Sequence, residues 1–183
     1  VLILGGIKMS TKIPLIEKFG KNADVILIGG GAALTMLAAS MGKRLPQAVM
    51  FTKAADVAEA KIVAKEFGKK IFLPCDVLVT KNAVPDIGPE SVRCFIRAIE
   101  QAKTIVWNGP LGNTDRKAGF AGTLAIARAI TKNTSATSIV GGGETVKCLE
   151  EFDLTDRFTH VSTGGGAMLA FLSGESLPGL EVL

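Results

Sequence analysis

Two lysines directly after a pair of glycines are residues in this sequence that could bind an anion. The segment GGIKMSTK places Lys8 and Lys12 four residues apart, so that one helical turn would bring both ammonium groups to the same side. Two neighbouring cations repel each other, and an anionic ligand would relieve that repulsion. The alternative interpretation is that both lysines are ordinary solvated surface residues.

A carboxylate follows a second glycine cluster. In the segment GGGET, Glu144 and Thr145 come directly after three glycines. A carboxylate at the start of a helix complements the helix dipole, but it could also hold Mg²⁺, which takes one or two carboxylates plus phosphate oxygens. Asp115 follows the segment NGPLGNT and is interpreted either as a cap of the next helix or as a ligand of a ribose hydroxyl.

Strands and helices alternate along the chain that must position these residues. Continuous, β-branched apolar runs are typical of strands buried on both faces of a parallel sheet. Six such runs occur, at Val1–Leu4, Val25–Ile28, Ile71–Leu73, Thr104–Trp107, Thr137–Val140 and Thr159–Ser162. Helices are expected at Ser10–Phe19 (with Ser10 as its N-cap), Ala32–Met41, Ala54–Phe67, Glu90–Ala102, Lys117–Lys132, Glu144–Phe152 and Ala167–Leu172. The alternation predicts an α/β fold, a Rossmann-like three-layer sandwich with a six-stranded parallel sheet.

Most of the glycines follow directly after the predicted strands. Thirteen of the 21 do so: Gly5, Gly6, Gly29, Gly30, Gly31, Gly109, Gly112, Gly141, Gly142, Gly143, Gly164, Gly165 and Gly166. Open α/β sheets bind ligands at this carboxyl edge, where the first N–H groups of helices face outward. The clusters therefore favour a nucleotide or phosphate site, although tight βα turns also use glycine. No Walker A motif is present, and no G-x-G-x-x-G stands in its proper setting, so a dinucleotide fold is not supported.

Composition narrows the class of protein. The 183 residues suit a single domain, and 48% of them are hydrophobic, which is typical of a globular chain. No apolar run approaches the roughly 18 residues of a membrane span, and no signal peptide is expected. The net charge is +4, but the basic residues are scattered and aromatic residues are few, which argues against nucleic-acid binding. This charge suits a small anionic ligand. The three cysteines, Cys75, Cys94 and Cys148, are interpreted as free core thiols in a reducing compartment.

Taken together, these residues resemble the C-terminal, nucleotide-binding domain of phosphoglycerate kinase. The matching segments, in family order, are GGIKMSTKI, VILIGGGAALTML, LPCDV, DIGPES, IVWNGPLG, VGGGET and HVSTGGGA, followed by LPGLEVL. The resemblance implies a glycolytic, cytoplasmic and monomeric parent enzyme. Its reaction would transfer the acyl phosphate of 1,3-bisphosphoglycerate to ADP, giving 3-phosphoglycerate and ATP, with Mg²⁺ as cofactor. It also implies that residues 1–183 form one domain and that the N-terminal domain, which would hold 3-phosphoglycerate, is absent. This chain alone would then bind nucleotide without turnover.

The resemblance also implies roles for individual residues. The residues that would contact the transferring phosphoryl group are Lys8, Lys12, Gly165 and Gly166. The residues that would contact the nucleotide are Gly6, Ile7, Lys8, Lys12, Gly29, Gly30, Asn108, Pro110, Asp115, Gly142, Gly143, Glu144 and Thr145. Among these, Gly29 and Gly30 would wall the adenine, Asp115 would bind the ribose, and Glu144 would hold the Mg²⁺. In the Gly164–Gly166 loop, bare amides would face the phosphoryl group.

Some residues depart from the family pattern and keep a second hypothesis open. Glu144 stands where the family has Asp, Asp115 where it has Glu, and the segment before Asp86 is short. Ile7 and Thr11 stand where Ala and Asp are usual. The second hypothesis is a degenerate kinase-derived domain with a structural or interaction role. If Gly165 presents its amide to the phosphoryl group, Gly165→Val should damage function more than stability. The alternative interpretation is a left-handed turn glycine, for which valine would instead lower the melting temperature.

Overall fold

A six-stranded parallel sheet lies at the centre of the chain. The computed structural model describes residues 1–41, 54–80, 83–114, 119–174 and 176–177. In chain order its strands are β1 (Leu2–Leu4), β2 (Ile26–Ile28), β3 (Ile71–Phe72), β4 (Val77–Thr80), β5 (Ala83–Ile87), β6 (Thr104–Asn108), β7 (Thr137–Gly141) and β8 (His160–Ser162). The sheet has the order β3-β2-β1-β6-β7-β8, and every neighbouring pair in it is parallel. The predicted fold class and all six predicted strands are confirmed.

Helices cover both faces of the sheet. They are α1 (Ile13–Phe19), α2 (Gly30–Met41), α3 (Ala54–Phe67), α4 (Pro89–Glu100), α5 (Ala121–Lys132), α6 (Gly143–Glu151) and α7 (Gly165–Ser173). The residues of α1, α2 and α3 share one hydrophobic core, those of α4, α5 and α6 share the other, and α7 packs on α1. The sheet is therefore the middle of three layers.

The side chains of β1 show how one strand serves both cores. Successive residues of a strand point to opposite faces, and here Leu2 and Leu4 join the core with α1 to α3 while Ile3 joins the core with α4 to α6. All three are essentially inaccessible to solvent. Trp107 on β6 is also fully buried, in the same core as Ile3, and its ring lies 6.3 Å from that of Phe158. Burial on both faces explains why these strands are continuous apolar runs.

Helix positions agree with the sequence, and their ends differ by a few residues. The predicted bounds of α3 are confirmed, and part of the predicted start of α5 lies outside the described residues. The expected N-cap Ser10 is wrong: α1 begins after Lys12, and no side chain caps it. The reason is a turn over residues 9–12, closed by a hydrogen bond from the Lys12 amide to the Met9 carbonyl (2.8 Å).

A β-hairpin outside the main sheet was not predicted. Strands β4 and β5 pair antiparallel, with a register irregularity between Leu78 and Thr80. Their sequences include Pro85 and Asp86, residue types that are depleted in strands, so the pattern gave little strand signal.

Cysteine burial corrects another expectation. Only Cys148 is buried, whereas Cys75 and Cys94 are exposed, so two of the three are not core thiols. Cys94 lies on the outer side of the amphipathic helix α4, and Cys75 lies in the loop before β4. In the described part of the chain, none of the helices has the length and apolar character needed to cross a membrane.

Candidate functional site

The sheet has a topological switch between β1 and β6. From β1 the chain continues to β2 on one side, and from β6 it continues to β7 on the other side. Beyond the ends of two such strands the chain turns to opposite sides and leaves a crevice at the carboxyl edge, where α/β proteins bind ligands. Directly after β1 and β6 the two loops are still joined by backbone hydrogen bonds, from the Gly5 amide to the Asn108 carbonyl (2.9 Å) and from the Gly6 amide to the Pro110 carbonyl (2.8 Å).

A buried lysine crosses this switch point. Lys12 is only 7% exposed, and its Nζ donates a hydrogen bond of 2.5 Å to Oδ1 of Asn108 at the end of β6. Burial lowers the pKa of the Lys12 ammonium, and the Glu144 carboxylate partly opposes that shift. Lys12 is therefore not the solvated surface lysine of the alternative interpretation, whereas Lys8 is exposed. Residues 8–12 do not form an α-helical turn, yet both lysines line the same cleft.

Two buried polar atoms beside Lys12 have no hydrogen-bond partner among the described residues. They are Nδ2 of Asn108 and Oγ1 of Thr145. Because Asn108 Oδ1 accepts from Lys12, its Nδ2 is left as a donor that points elsewhere. A Cβ atom on Gly142 would lie 3.3 Å from Asn108 Nδ2 and 3.5 Å from Thr145 Oγ1, so both atoms border the space beside that glycine. Buried donors without partners are expensive, and a ligand with acceptor oxygens would satisfy them.

The residues around these atoms form a cleft that we call the polar cleft. Its lining is Gly6, Ile7, Lys8, Thr11, Lys12, Asn108, Gly109, Pro110, Gly142, Gly143, Glu144 and Thr145. The structure thus brings together ten of the residues that sequence reasoning had selected. Thr11 and Gly109 were not selected, although both stand inside the quoted glycine-rich segments. Asp115 lies outside the described residues.

A second cleft, which we call the apolar cleft, adjoins the first. It is lined by Gly6, Ile7, Gly30, Gly31, Ala33, Leu34, Pro74, Val77, Asp86, Ile87, Pro110, Leu111, Gly112, Asn113, Thr114 and Glu144. Gly6, Ile7, Pro110 and Glu144 belong to both clefts, so the two are continuous. Of the two residues expected to wall an adenine, Gly30 lines this cleft, whereas Gly29 is buried behind it against Leu111.

The glycine loops after β7 and β8 meet at their backbones. A Cβ atom on Gly165 would lie 2.6 Å from the Gly142 Cα, so a side chain there would collide with backbone. Gly165 has no positive φ, so the left-handed turn of the alternative interpretation is not present. Gly143 and Gly166 are different, because a Cβ atom on either would meet nothing within 4 Å. Packing therefore explains the glycine at 165, and it leaves those at 143 and 166 unexplained.

Glu144 is the candidate metal ligand, and its surroundings constrain what it can hold. It is exposed in the first turn of α6, at the place where the two clefts join. No group of three or more His, Cys, Asp or Glu side chains gathers within the described residues. A single carboxylate fits Mg²⁺ only when other oxygens complete the coordination, as phosphate groups of a ligand do. The site therefore fits a metal that arrives with a phosphorylated ligand.

Asp86 lines the apolar cleft, and the sequence analysis did not select it as a candidate. The side chain is 2% exposed, and its carboxylate accepts hydrogen bonds from the amides of Ile87 (2.8 Å) and Gly122 (2.6 Å). Burial raises the pKa of this carboxyl to about 6, and the two hydrogen bonds oppose the shift. An acid inside the otherwise apolar segment AVPDI was the signal that could have drawn attention to it.

Two hydrogen bonds with buried side chains hold the loop after β6 in place. Trp107 Nε1 donates a hydrogen bond of 2.8 Å to the Gly109 carbonyl, and the Leu111 amide donates one of 3.0 Å to Thr123 Oγ1. Both side chains are fully buried. These bonds fix the segment that carries Asn108 and Pro110 and that contributes residues to both clefts.

Comparison with known proteins agrees with this architecture. The family model described as phosphoglycerate kinase matches residues 1–175. The phosphoglycerate kinases of Acidobacterium capsulatum and Koribacter versatilis are 39% and 40% identical to the chain, cover all of it, and are matched over 50% of their own length. The crystal structure of the Pyrococcus horikoshii phosphoglycerate kinase and the structure of the Coxiella burnetii enzyme superpose with TM-scores of 0.87 and 0.88 at 30% and 35% identity. The two structures match 100% and 99% of this chain, and this chain matches 51% and 52% of their lengths. The chain spans about half the length of the relatives it matches, and it belongs to the phosphoglycerate kinase family.

Proposed function

We propose that this chain is the C-terminal, nucleotide-binding half of a phosphoglycerate kinase and binds ADP or ATP with Mg²⁺ across the two clefts. In this role it serves phosphoryl transfer between 1,3-bisphosphoglycerate and ADP, and residues outside this chain hold 3-phosphoglycerate. The observation that carries the proposal is the buried group of Lys12, Asn108 and Thr145. It combines the Lys12 cation with two polar atoms, Asn108 Nδ2 and Thr145 Oγ1, that have no hydrogen-bond partner within the described part of the chain.

The polar cleft is the proposed phosphate subsite. Lys12 supplies a positive charge that is already desolvated, so its attraction to phosphate is stronger than that of a surface lysine. Asn108 Nδ2 and Thr145 Oγ1 supply hydrogen-bond donors that need no further desolvation. The start of α6 adds a bare amide at Gly143 in the lining of this cleft, and the start of α7, whose Gly165 packs against Gly142, presents a second one at Gly166 beside it. Such preorganised donors are what phosphoryl transfer mainly requires of a protein.

The apolar cleft is the proposed base subsite. Its Ala33, Leu34, Val77, Ile87 and Leu111 side chains suit the face of a purine, and it opens directly into the polar cleft. Glu144 stands between the subsites, where it would hold Mg²⁺ together with the nucleotide phosphates. When bound, the ion would supply positive charge that neutralises the phosphates.

Titration calorimetry of this chain with ADP and Mg²⁺ tests the proposal. We expect binding, and we expect Lys12→Ala to weaken it by about 1.5–3 kcal/mol, the range for a hydrogen bond to a charged group, without unfolding the domain. Lys132→Ala, at an exposed lysine at the end of α5, is the matched control and should bind as the unmodified chain does.

The competing function is a degenerate domain with a structural or interaction role. The absence of heat and of a thermal shift at millimolar ADP would favour it and contradict the proposal. Equal affinity in Lys12→Ala would instead show that nucleotide binds elsewhere. Phosphoryl transfer itself should require the other half of the enzyme, and this chain alone should show none.

A further inference from the structure

Two consecutive residues in the first turn of α5, Gly122 and Thr123, form hydrogen bonds with residues that line the apolar cleft. We propose that Asp86 is a positioning residue for the nucleotide base: its carboxylate ties the end of the β4–β5 hairpin to the start of α5 and thereby sets the width of the apolar cleft. The inference rests on the proposed function, and it adds a residue that acts through the walls of the site.

The hydrogen bonds of Asp86 link separate parts of the chain. One carboxylate oxygen accepts from the amide of Ile87, the next residue, and the other accepts from the amide of Gly122, which is 36 positions away. Asp86 and Ile87 both line the apolar cleft, whereas Gly122 lies behind it in α5. The carboxylate therefore fixes one wall to a helix that itself stays outside the cleft.

The Asp86 carboxylate packs tightly against the backbone of two glycines. A Cβ atom at Gly122 would lie 2.5 Å from Asp86 Oδ1, and one at Gly112 would lie equally close to the same oxygen. Among the described residues no lysine, arginine or histidine forms a salt bridge with Asp86. A carboxylate that is buried this deeply is costly to desolvate in its charged form. Both of its hydrogen bonds accept from backbone amides, so the side chain fixes the positions of two chain segments.

A second part of the cleft wall is tied to the neighbouring residue of the same helix turn. Thr123 Oγ1 accepts a hydrogen bond from the Leu111 amide, and Leu111 lines the apolar cleft next to Gly112, which packs against Asp86. Gly122 and Thr123 thus set the two parts of the wall relative to each other. The phosphate subsite is built from the loops after β1, β6 and β7, and neither residue lines it. Loss of the Asp86 link should therefore affect the base and spare the phosphates.

The experiment compares two probes, ADP and inorganic tripolyphosphate, on the unmodified chain and on Asp86→Asn. Asparagine keeps the size of the side chain but presents an N–H₂ group to one of the two amides, so one hydrogen bond is lost. We expect ADP to bind about tenfold more weakly, the effect of losing one charge-assisted hydrogen bond, and tripolyphosphate to bind within about twofold of the unmodified chain. Asp76→Asn is the matched control. Asp76 accepts from the Glu90 and Ser91 amides at the start of α4 without lining either cleft, so its loss should lower the melting temperature and leave ADP affinity unchanged.

A second pair of variants keeps the inference testable if Asp86→Asn folds poorly. Thr123→Val removes the acceptor for Leu111 and should weaken ADP selectively, whereas Thr123→Ser keeps the hydroxyl and should restore binding. Equal ADP affinity in Asp86→Asn and the unmodified chain would overturn the inference while the proposed function stands. So would a parallel loss of ADP and tripolyphosphate, because that would indicate a general structural role. Failure of the unmodified chain to bind ADP would refute the proposed function and the inference together.

Discussion

Gly165 touches Gly142 so closely that a Cβ atom on Gly165 would lie 2.6 Å from the Gly142 Cα and 3.0 Å from its amide nitrogen. The starts of α6 and α7 are therefore in backbone contact, and the loops after β7 and β8 form one surface. Packing therefore requires a glycine at position 165 but not at positions 143 and 166, and substitutions at these positions should have different effects.

Substitution at Gly165 should destabilise the protein, whereas substitution at Gly143 or Gly166 should not. We expect Gly165→Val to lower stability by roughly 1–3 kcal/mol, because the new side chain must displace backbone. Gly143→Ala and Gly166→Ala add a methyl group in open space within a helix, so their melting temperatures should stay equal or rise slightly. If the amides at 143 and 166 contact phosphate, both alanine variants should bind ADP more weakly. Thermal melting and calorimetry on the three variants measure this, and unchanged affinity in both alanine variants would argue against amide contact.

Thr145 offers a test in which stability and binding move in opposite directions. Its buried hydroxyl has no hydrogen-bond partner among the residues that the structure describes. Thr145→Val, which replaces that hydroxyl by a methyl group, should therefore stabilise the unliganded protein by about 1 kcal/mol. The same change should weaken ADP binding, because the ligand loses a hydrogen bond. Thr145→Ser keeps the hydroxyl and serves as the control. A valine variant that binds ADP normally would show that the hydroxyl does not meet the nucleotide.

Glu144 should govern the Mg²⁺ dependence of binding rather than binding itself. Glu144→Gln should bind free ADP as well as the unmodified chain does, or better, because a negative charge near the phosphates is removed. The gain in affinity on adding Mg²⁺ should shrink roughly tenfold, the scale of one charge-assisted contact. Glu144→Asp should retain most of the gain, and Glu150→Gln on the exposed side of α6 should retain all of it. Calorimetry with and without Mg²⁺ gives the comparison, and an unchanged gain in Glu144→Gln would remove this residue from the metal site.

The Asp86 carboxyl predicts a pH dependence of stability with a defined sign. Burial raises its pKa from 3.8 to about 6, so the folded state binds this proton more tightly than the unfolded chain does. The stability that it contributes is complete below pH 3.8 and is lost as the pH rises through about 6. Compared with Asp86→Asn, the unmodified chain should therefore lose roughly 1–2 kcal/mol between pH 4.5 and 7.5.

Two other titratable groups near Asp86 should not produce this difference. The pKa of the Cys148 thiol is raised to about 11, first by burial and then by Glu151 and Asp86, so it stays neutral over the range. Glu144 lines the same cleft and is present in both proteins, so it does not distinguish them. Denaturant unfolding of both proteins across the pH range measures the difference, and parallel stability profiles would contradict the prediction.

The fold was predictable because both faces of the sheet are buried. Strands such as Val25–Ile28 have no polar face, and the glycines after them mark where each strand ends. The six strands and a glycine-lined cleft at the carboxyl edge therefore followed from local patterns. The hairpin was not predictable, because β4 and β5 pair only with each other and contain residues that disfavour strands. Lys12 could be selected from spacing, but its burial depends on the contact with Asn108, 96 positions away. The role of Asp86 depends in the same way on Gly122, and no local pattern reveals such pairs.

Trp107 gives this chain a built-in optical reporter. It is the sole tryptophan and the sequence contains no tyrosine, so excitation near 295 nm addresses one indole. That indole is fully buried, hydrogen-bonded to the Gly109 carbonyl and adjacent in sequence to Asn108. A change at Asn108 on ligand binding would reach the indole through the backbone and this hydrogen bond. Its emission therefore allows occupancy of the site, as well as loss of the fold around it, to be followed in the unlabelled protein.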